Sequence, residues 1–184
     1  GFFAQGSYQS TGGDMAELKA WLIAKLLWNP DADADALEAD FIKGYYGPAA
    51  PAMTEYFDML HNKVKSNRYH AHLYSAPTAG YMDADLLDKM DKALTRAAEL
   101  AKGDQLASEH VRKARLGYTY TLLAAPELFC PKDKPHCEKN RNLFKVYNDF
   151  KAELDHFGVV NLNEGQPASE TLKKLRLSSL GWKE

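Results

Sequence analysis

The sequence has no apolar run long enough to cross a membrane, no stripe of basic residues and no recognisable leader at its start. The first absence excludes a helical membrane span. The second, with Lys and Arg scattered among acids and a formal charge of −2, excludes nucleic acid as the expected partner. The third leaves the compartment unassigned. No nucleophile elbow, phosphate loop, dinucleotide fingerprint or zinc-protease signature is present, so no cofactor is expected and the chain alone does not read as an enzyme. Cysteine is scarce, at two residues. What is plentiful is apolar residues, at 45%, which can fill a core, and 184 residues are enough for one domain or for one with a small annex.

The chain opens on Phe2-Phe3-Ala4, which reads as a short buried strand, and such a start points to a chain that begins inside something longer. Gln5 to Gly13 is a polar loop rich in Gly, Ser and Tyr, of the kind that carries binding residues on a rigid scaffold. Asp14 to Pro30 then reads as a helix. Met15, Leu18, Trp21, Leu22, Ala24, Leu26, Leu27 and Trp28 are spread around most of its faces. Such a helix is expected to be buried on several sides, with the later helices wrapped around it. Asp14 is expected to cap its first turn and Asn29-Pro30 to end it.

Asp31 to Asp35 reads as a turn that caps the next helix, not a calcium loop, because the required Gly and distal Glu are missing. Leu37, Phe41 and Tyr45 form the inner stripe of that helix. Gly44 to Pro48 is a corner. A third helix runs to about Ser66 on Met53, Tyr56, Phe57, Leu60 and Val64. Asn67 to Tyr81 has no helical period and reads as a loop pinned by its tyrosines. His70 and His72 lack a Cys or carboxylate partner, so no metal site is expected there. Three further helices follow. Their stripes are Leu86/Leu87, Met90, Leu94, Ala97, Ala101; then Ala107, Val111, Ala114, Tyr118, Thr121/Leu122, Ala125; then Leu143, Val146/Tyr147, Phe150, Leu154. Short connections favour an antiparallel bundle. Ser169 caps a last short helix, and Leu172, Leu175 and Trp182 seal the bundle end.

Cys130 and Cys137 flank a six-residue gap with two prolines. They suit a disulfide across a helical hairpin in an oxidising compartment, worth about 2–3 kcal/mol. Two free thiols, or a Cys130/His136/Cys137 metal site short of a fourth ligand, remain the alternatives. Asp14 and Glu17 share a helix turn beside the Gly-rich loop, and paired carboxylates can do glycosidic acid/base work, but capping already accounts for Asp14.

Three segments carry a resemblance: Gly12-Gly-Asp-Met-Ala-Glu-Leu-Lys-Ala-Trp21, Ala24-Lys-Leu-Leu-Trp-Asn-Pro-Asp31, and Phe41 to Ala50 with its Gly-Tyr-Tyr-Gly-Pro core. They look like the C-terminal part of a bacterial glycoside-hydrolase-like family, the domain of unknown function 4838. The Trp-Asn-Pro helix ending is similar to one in alpha-glucuronidases and some beta-N-acetylglucosaminidases. The resemblance is specific over about residues 1–60 and only architectural beyond.

The resemblance implies a parent with a catalytic (β/α)8 barrel followed by a helical domain, secreted, periplasmic or on the cell surface. Residues 1–30 would then be the last strand, loop and helix of the barrel, and residues 31–184 the C-terminal helical domain. The fold class is all-α, an antiparallel bundle preceded by that strand and loop. Gln5, Ser7, Tyr8 and Asp14 would line the parent's sugar pocket at the barrel's loop-bearing face. Some members of the family carry an acid where this chain has Ala4, so the catalytic acids would lie upstream. The expected partners are a glycan, reached through the parent, and the barrel itself. A homodimer or a stand-alone carbohydrate-binding module is the competing expectation, the latter using Tyr8, Trp28, Tyr45, Tyr46 and Tyr74 as stacking faces.

Overall fold

Local signals start most of the helices. Asp33 accepts hydrogen bonds from the amides of Asp35 and Ala36 at 3.0 and 3.1 Å and opens α2, Ala34–Tyr46. Asp83 does the same for α4, Ala84–Leu100, through Leu86 at 2.8 Å. Asp104 opens α5, Gln105–Ala124, through Ala107 at 3.0 Å, and Asn142 opens α6, Leu143–His156, through Lys145 at 2.9 Å. Each cap satisfies an amide that the helix cannot, and contributes about 1 kcal/mol. The remaining helices are α1, Ala16–Trp28, α3, Ala50–Ser66, and α7, Ala168–Leu180. The computed structural model describes residues 1–3, 10–66, 69–70, 75–76, 80–128 and 142–180.

The architecture is an all-helical bundle with a two-stranded annex. α2, α3, α4 and one face of α5 enclose a first core, in which Met53, Tyr56, Leu87 and Leu94 are fully buried. The opposite face of α5, with α6 and α7, encloses a second core on Leu116, Leu123, Phe150, Leu154, Val159 and Leu175. Antiparallel strands β1, Asn161–Asn163, and β2, Gln166–Pro167, form a hairpin under α7. Its turn takes Gly165 through φ 71°, a left-handed conformation that glycine adopts without steric cost. Asn163 donates from its side-chain amide to the buried Thr171 hydroxyl at 2.9 Å and ties the hairpin to α7.

The structure corrects the expected centre of the fold. α5, not α1, is the helix around which the others pack, because both its faces are apolar and each is covered by a different core. α1 packs on α2, with Trp21 against Phe41 at 5.7 Å between ring centroids, and Leu18 is its buried residue. Its other side is open. Ala20, Ile23, Ala24, Leu27 and Trp28 all face solvent, with Trp28 92% exposed.

Three smaller expectations also shift. α2 buries Ile42 and Tyr46 deepest, while Leu37, Phe41 and Tyr45 are half-buried on the side turned to α1 and α5. The expected strand at Phe2–Ala4 is not formed at Phe2 and Phe3, which are exposed and lack a neighbouring strand among the described residues. The segment after His156 adopts the β1–β2 hairpin where a plain connector was expected. Cys130, His136, Cys137, His72, Tyr74 and Trp182 lie outside the described residues. Tyr69 and Tyr81, near the two ends of the 67–81 loop, pack on each other at 5.0 Å between ring centroids.

Candidate functional site

Asp14 was expected to cap α1, and it does not. The cap position belongs to Met15, which has no side-chain bond to the helix and lies in the left-handed region at φ 54°, ψ 28°. Among the described residues it is the one non-glycine with positive φ. That conformation costs an L residue about 1–2 kcal/mol. The Gly13 carbonyl accepts from the Ala16 amide, and the turn swings the Asp14 side chain away from the helix end and onto α5. There it meets Gly117. A Cβ on Gly117 would lie 3.6 Å from Asp14 Cγ and Oδ1, so the glycine leaves the carboxyl group a shallow berth.

Asp14 and Gly117 share a recess of about 20 Å³ with Glu17, Tyr45, Tyr46, His110 and Lys113. That is room for one water-sized group. Asp14 shows an exposed surface as a whole residue, yet the protein around its carboxyl group strips enough solvation to push the pKa up. The Lys19 charge pulls it back and Glu17 adds a further upward push. Among the described residues the carboxylate of Asp14 accepts no hydrogen bond and forms no ion pair.

Its neighbours are more committed. Glu17 pairs through Oε1 with Lys113, joining α1 to α5. The Tyr45 ring stacks on His110 at 3.5 Å and 8°, with Phe41 on its other face at 4.9 Å. His110 Nδ1 lies 2.6 Å from the Tyr45 carbonyl oxygen. A carbonyl only accepts, so Nδ1 carries the proton, and in the neutral imidazole Nε2 keeps its lone pair. Burial, helped by the charge of Glu17, raises the Tyr45 phenol to about 12. Burial raises Tyr46 and Tyr56 further, with Asp14 adding to both. These phenols therefore stay protonated across the physiological range.

A larger hollow of about 380 Å³ lies between α4, α5 and α6. Its size suits a small ligand better than the recess does. Its polar rim, however, is already paired: Arg115 with Asp91 at 2.8 Å, Arg112 with Glu153 at 2.9 Å, and Asp149 with Lys145. Each charged side chain named on that rim is held by an ion pair, whereas in the recess Asp14 has none among the described residues.

Of the residues singled out from sequence, Gln5, Ser7 and Tyr8 lie outside the described residues, and Asp14 is in the recess. Tyr45 and Tyr46 do not form an open stacking platform. Tyr46 is buried and Tyr45 is sandwiched between Phe41 and His110, while Trp28 is at the far end of α1. Sequence reasoning missed His110, Lys113 and Gly117. The signal was present as a glycine inside a helical stretch, whose position invites the question of what approaches it.

Among the described residues, no group of three or more His, Cys, Asp or Glu is placed to hold a metal, and no helix is long and apolar enough to cross a membrane. No curated protein and no solved structure matches the chain. A family model matches residues 1–58, which run from the N-terminus through α1 and α2 into α3 and contribute Asp14, Glu17, Tyr45 and Tyr46 to the recess. That model is described as Domain of unknown function (DUF4838), and residues 1–58 are what this chain shares with it.

Proposed function

We infer that this chain is the helical C-terminal domain of a secreted bacterial glycoside hydrolase, which supports a catalytic barrel and lends sugar contacts to it. The observation that carries the reading is the outer face of α1. Ala20, Ile23, Ala24, Leu27 and Trp28 recur at the i, i+3, i+4, i+7, i+8 spacing of a single helix stripe, and all are exposed. A stripe of that pattern is the face a helix turns toward a second layer of structure. The inner face of the same helix is covered by α2, so α1 has the character of a shared wall between this bundle and a neighbour. Glycoside hydrolysis comes from the resemblance of residues 1–60. The recess at the foot of the Gly-rich loop is where sugar contacts from this domain would be made.

The test uses the chain, the separately produced barrel portion and the complete protein. In calorimetry the chain binds the barrel portion, and Leu27→Asp with Trp28→Asp abolishes that binding. The chain's own melting temperature stays nearly unchanged, because these side chains touch little within it. The chain alone turns over no aryl-glycoside. Hydrolysis by the purified chain that is lost in Asp14→Asn overturns the support reading. So does a complete protein whose activity and melting temperature ignore the α1 substitutions.

Dimerisation is the second reading that the α1 stripe favours. It holds if the same two substitutions convert a dimer to a monomer in sedimentation and leave the complete protein unaffected.

A further inference from the structure

The recess between α1 and α5 has a lopsided hydrogen-bond inventory. On the acceptor side are both oxygens of Asp14, the Oε2 of Glu17 and the Nε2 of His110. None of them has a hydrogen-bond partner among the described residues. On the donor side are the phenols of Tyr45 and Tyr46, which keep their protons, and the Lys113 ammonium, which spends one of its three N–H groups on Glu17 Oε1.

Charge follows the same pattern. Glu17 is balanced by Lys113, and Asp14 has no ion-pair partner among the described residues. The Asp14 carboxyl reaches this position because Met15 takes a left-handed turn, a local cost that capping geometry would have avoided, and it lies over Gly117, where an added Cβ would be in ordinary contact with it. The space admits one group the size of a water molecule.

We propose that this recess binds a primary ammonium group, with Asp14 as its counter-ion and Glu17 and His110 as further acceptors. An ammonium has three N–H donors and no acceptor, which complements three acceptor side chains with lone pairs to spare. It is compact enough for the space. It also supplies the positive charge that makes the ionised Asp14 affordable in crowded surroundings, through a charge-assisted bond stronger than a neutral one. A sugar hydroxyl brings one donor and no charge and leaves two of the three acceptor groups unspent.

Two sources share this chemistry, an amino sugar whose nitrogen is not acylated and a lysine side chain. The amino-sugar source rests on the sugar-contact reading above, and the lysine source does not.

The experiment is an NMR titration of the chain, observing the Asp14 carboxyl carbon and the amides of Met15 and Gly117. The probes are methylammonium, glucosamine, N-acetylglucosamine, glucose and an Nα-acetyl-lysine amide. Methylammonium and glucosamine are expected to shift these resonances, and N-acetylglucosamine and glucose to leave them in place. Asp14→Asn is expected to weaken binding by about tenfold or more while the amide spectrum elsewhere shows a folded protein. Glucosamine binding tighter than methylammonium assigns the amino-sugar source; the lysine amide binding tighter than glucosamine assigns the lysine source.

Equal shifts from glucosamine and N-acetylglucosamine overturn the ammonium assignment and leave the sugar-contact reading standing. No shift from any probe overturns the assignment, and a titration of the complete protein with oligosaccharides then judges the sugar-contact reading separately. An undiminished response in Asp14→Asn also overturns it.

Discussion

Gly117→Ala puts a methyl group where α5 and Asp14 now meet. Two effects oppose each other. Within a helix, alanine is better than glycine by about 0.8–1 kcal/mol, from the backbone freedom that glycine loses on folding. The added carbon would sit 3.6 Å from Asp14 Cγ and Oδ1, an ordinary contact distance, so no overlap offsets that gain. The methyl does displace solvent from a carboxyl group whose pKa is already raised by desolvation. The cost of that displacement falls on the ionised form alone.

The sign therefore depends on pH. Below the ordinary carboxylate value of about 3.9, Asp14 is neutral in both the folded and unfolded states, and the propensity gain stands alone. Thermal unfolding in that range is expected to show an increase of about 2–4 °C for about 1 kcal/mol in a chain of this size. As pH rises through the raised folded-state value, the folded protein must ionise Asp14 beside the new methyl, and the gain shrinks. The same substitution fills the recess, so it should also abolish the ammonium-induced NMR shifts. A variant that melts lower than wild type at acid pH would refute the packing argument. A gain of equal size at acid and neutral pH would refute the electrostatic one.

Other expected outcomes follow from the same packing. Asp14→Asn should raise the melting temperature at neutral pH and lose that advantage on acidification. A folded-state pKa above the unfolded one means the wild type loses stability as pH rises through that window, and asparagine never ionises. Phe150→Ala, at a side chain 1% exposed in the second core, should cost about 3–5 kcal/mol in urea unfolding. Gly12→Ala should destabilise by about 1–3 kcal/mol, because its Cβ would come within 2.6 Å of Val159 Cγ1 and the valine must move in a packed core. Asp104→Ala should cost about 1 kcal/mol through the lost cap of α5.

The bundle was legible where a helix has one wet face. The predicted stripe of α4, Leu86 to Ala101, is buried throughout, and so is the stripe of α5 from Ala107 to Ala125. Asp33, Asp83 and Asp104 sit immediately before apolar periodicity and do cap. Legibility failed where a helix has two apolar faces. Periodicity in α1 shows that both sides can be covered, but it does not say that the cover for one side lies within this chain. In α5, Leu116 and Leu123 fall outside the stripe read from sequence, and they are the contacts that build the second core. The recess was half legible. Asp14 and Glu17 are one turn apart in sequence, whereas His110, Lys113 and Gly117 reach them only through the docking of α1 and α2 on α5. The left-handed Met15 had no local signal, since methionine is not a residue that favours that conformation.

Because α5 is the common wall of both cores, neither can lose its packing without exposing the helix that the other depends on. The first core and the second should therefore melt as one cooperative unit, with the slowest amide exchange of the molecule concentrated along Val111 to Leu123. Whatever settles against Gly117 touches that keystone directly. Occupancy of a space barely larger than a water molecule would then be registered as slowed opening at Phe150 and Leu175, residues that no ligand in the recess could touch.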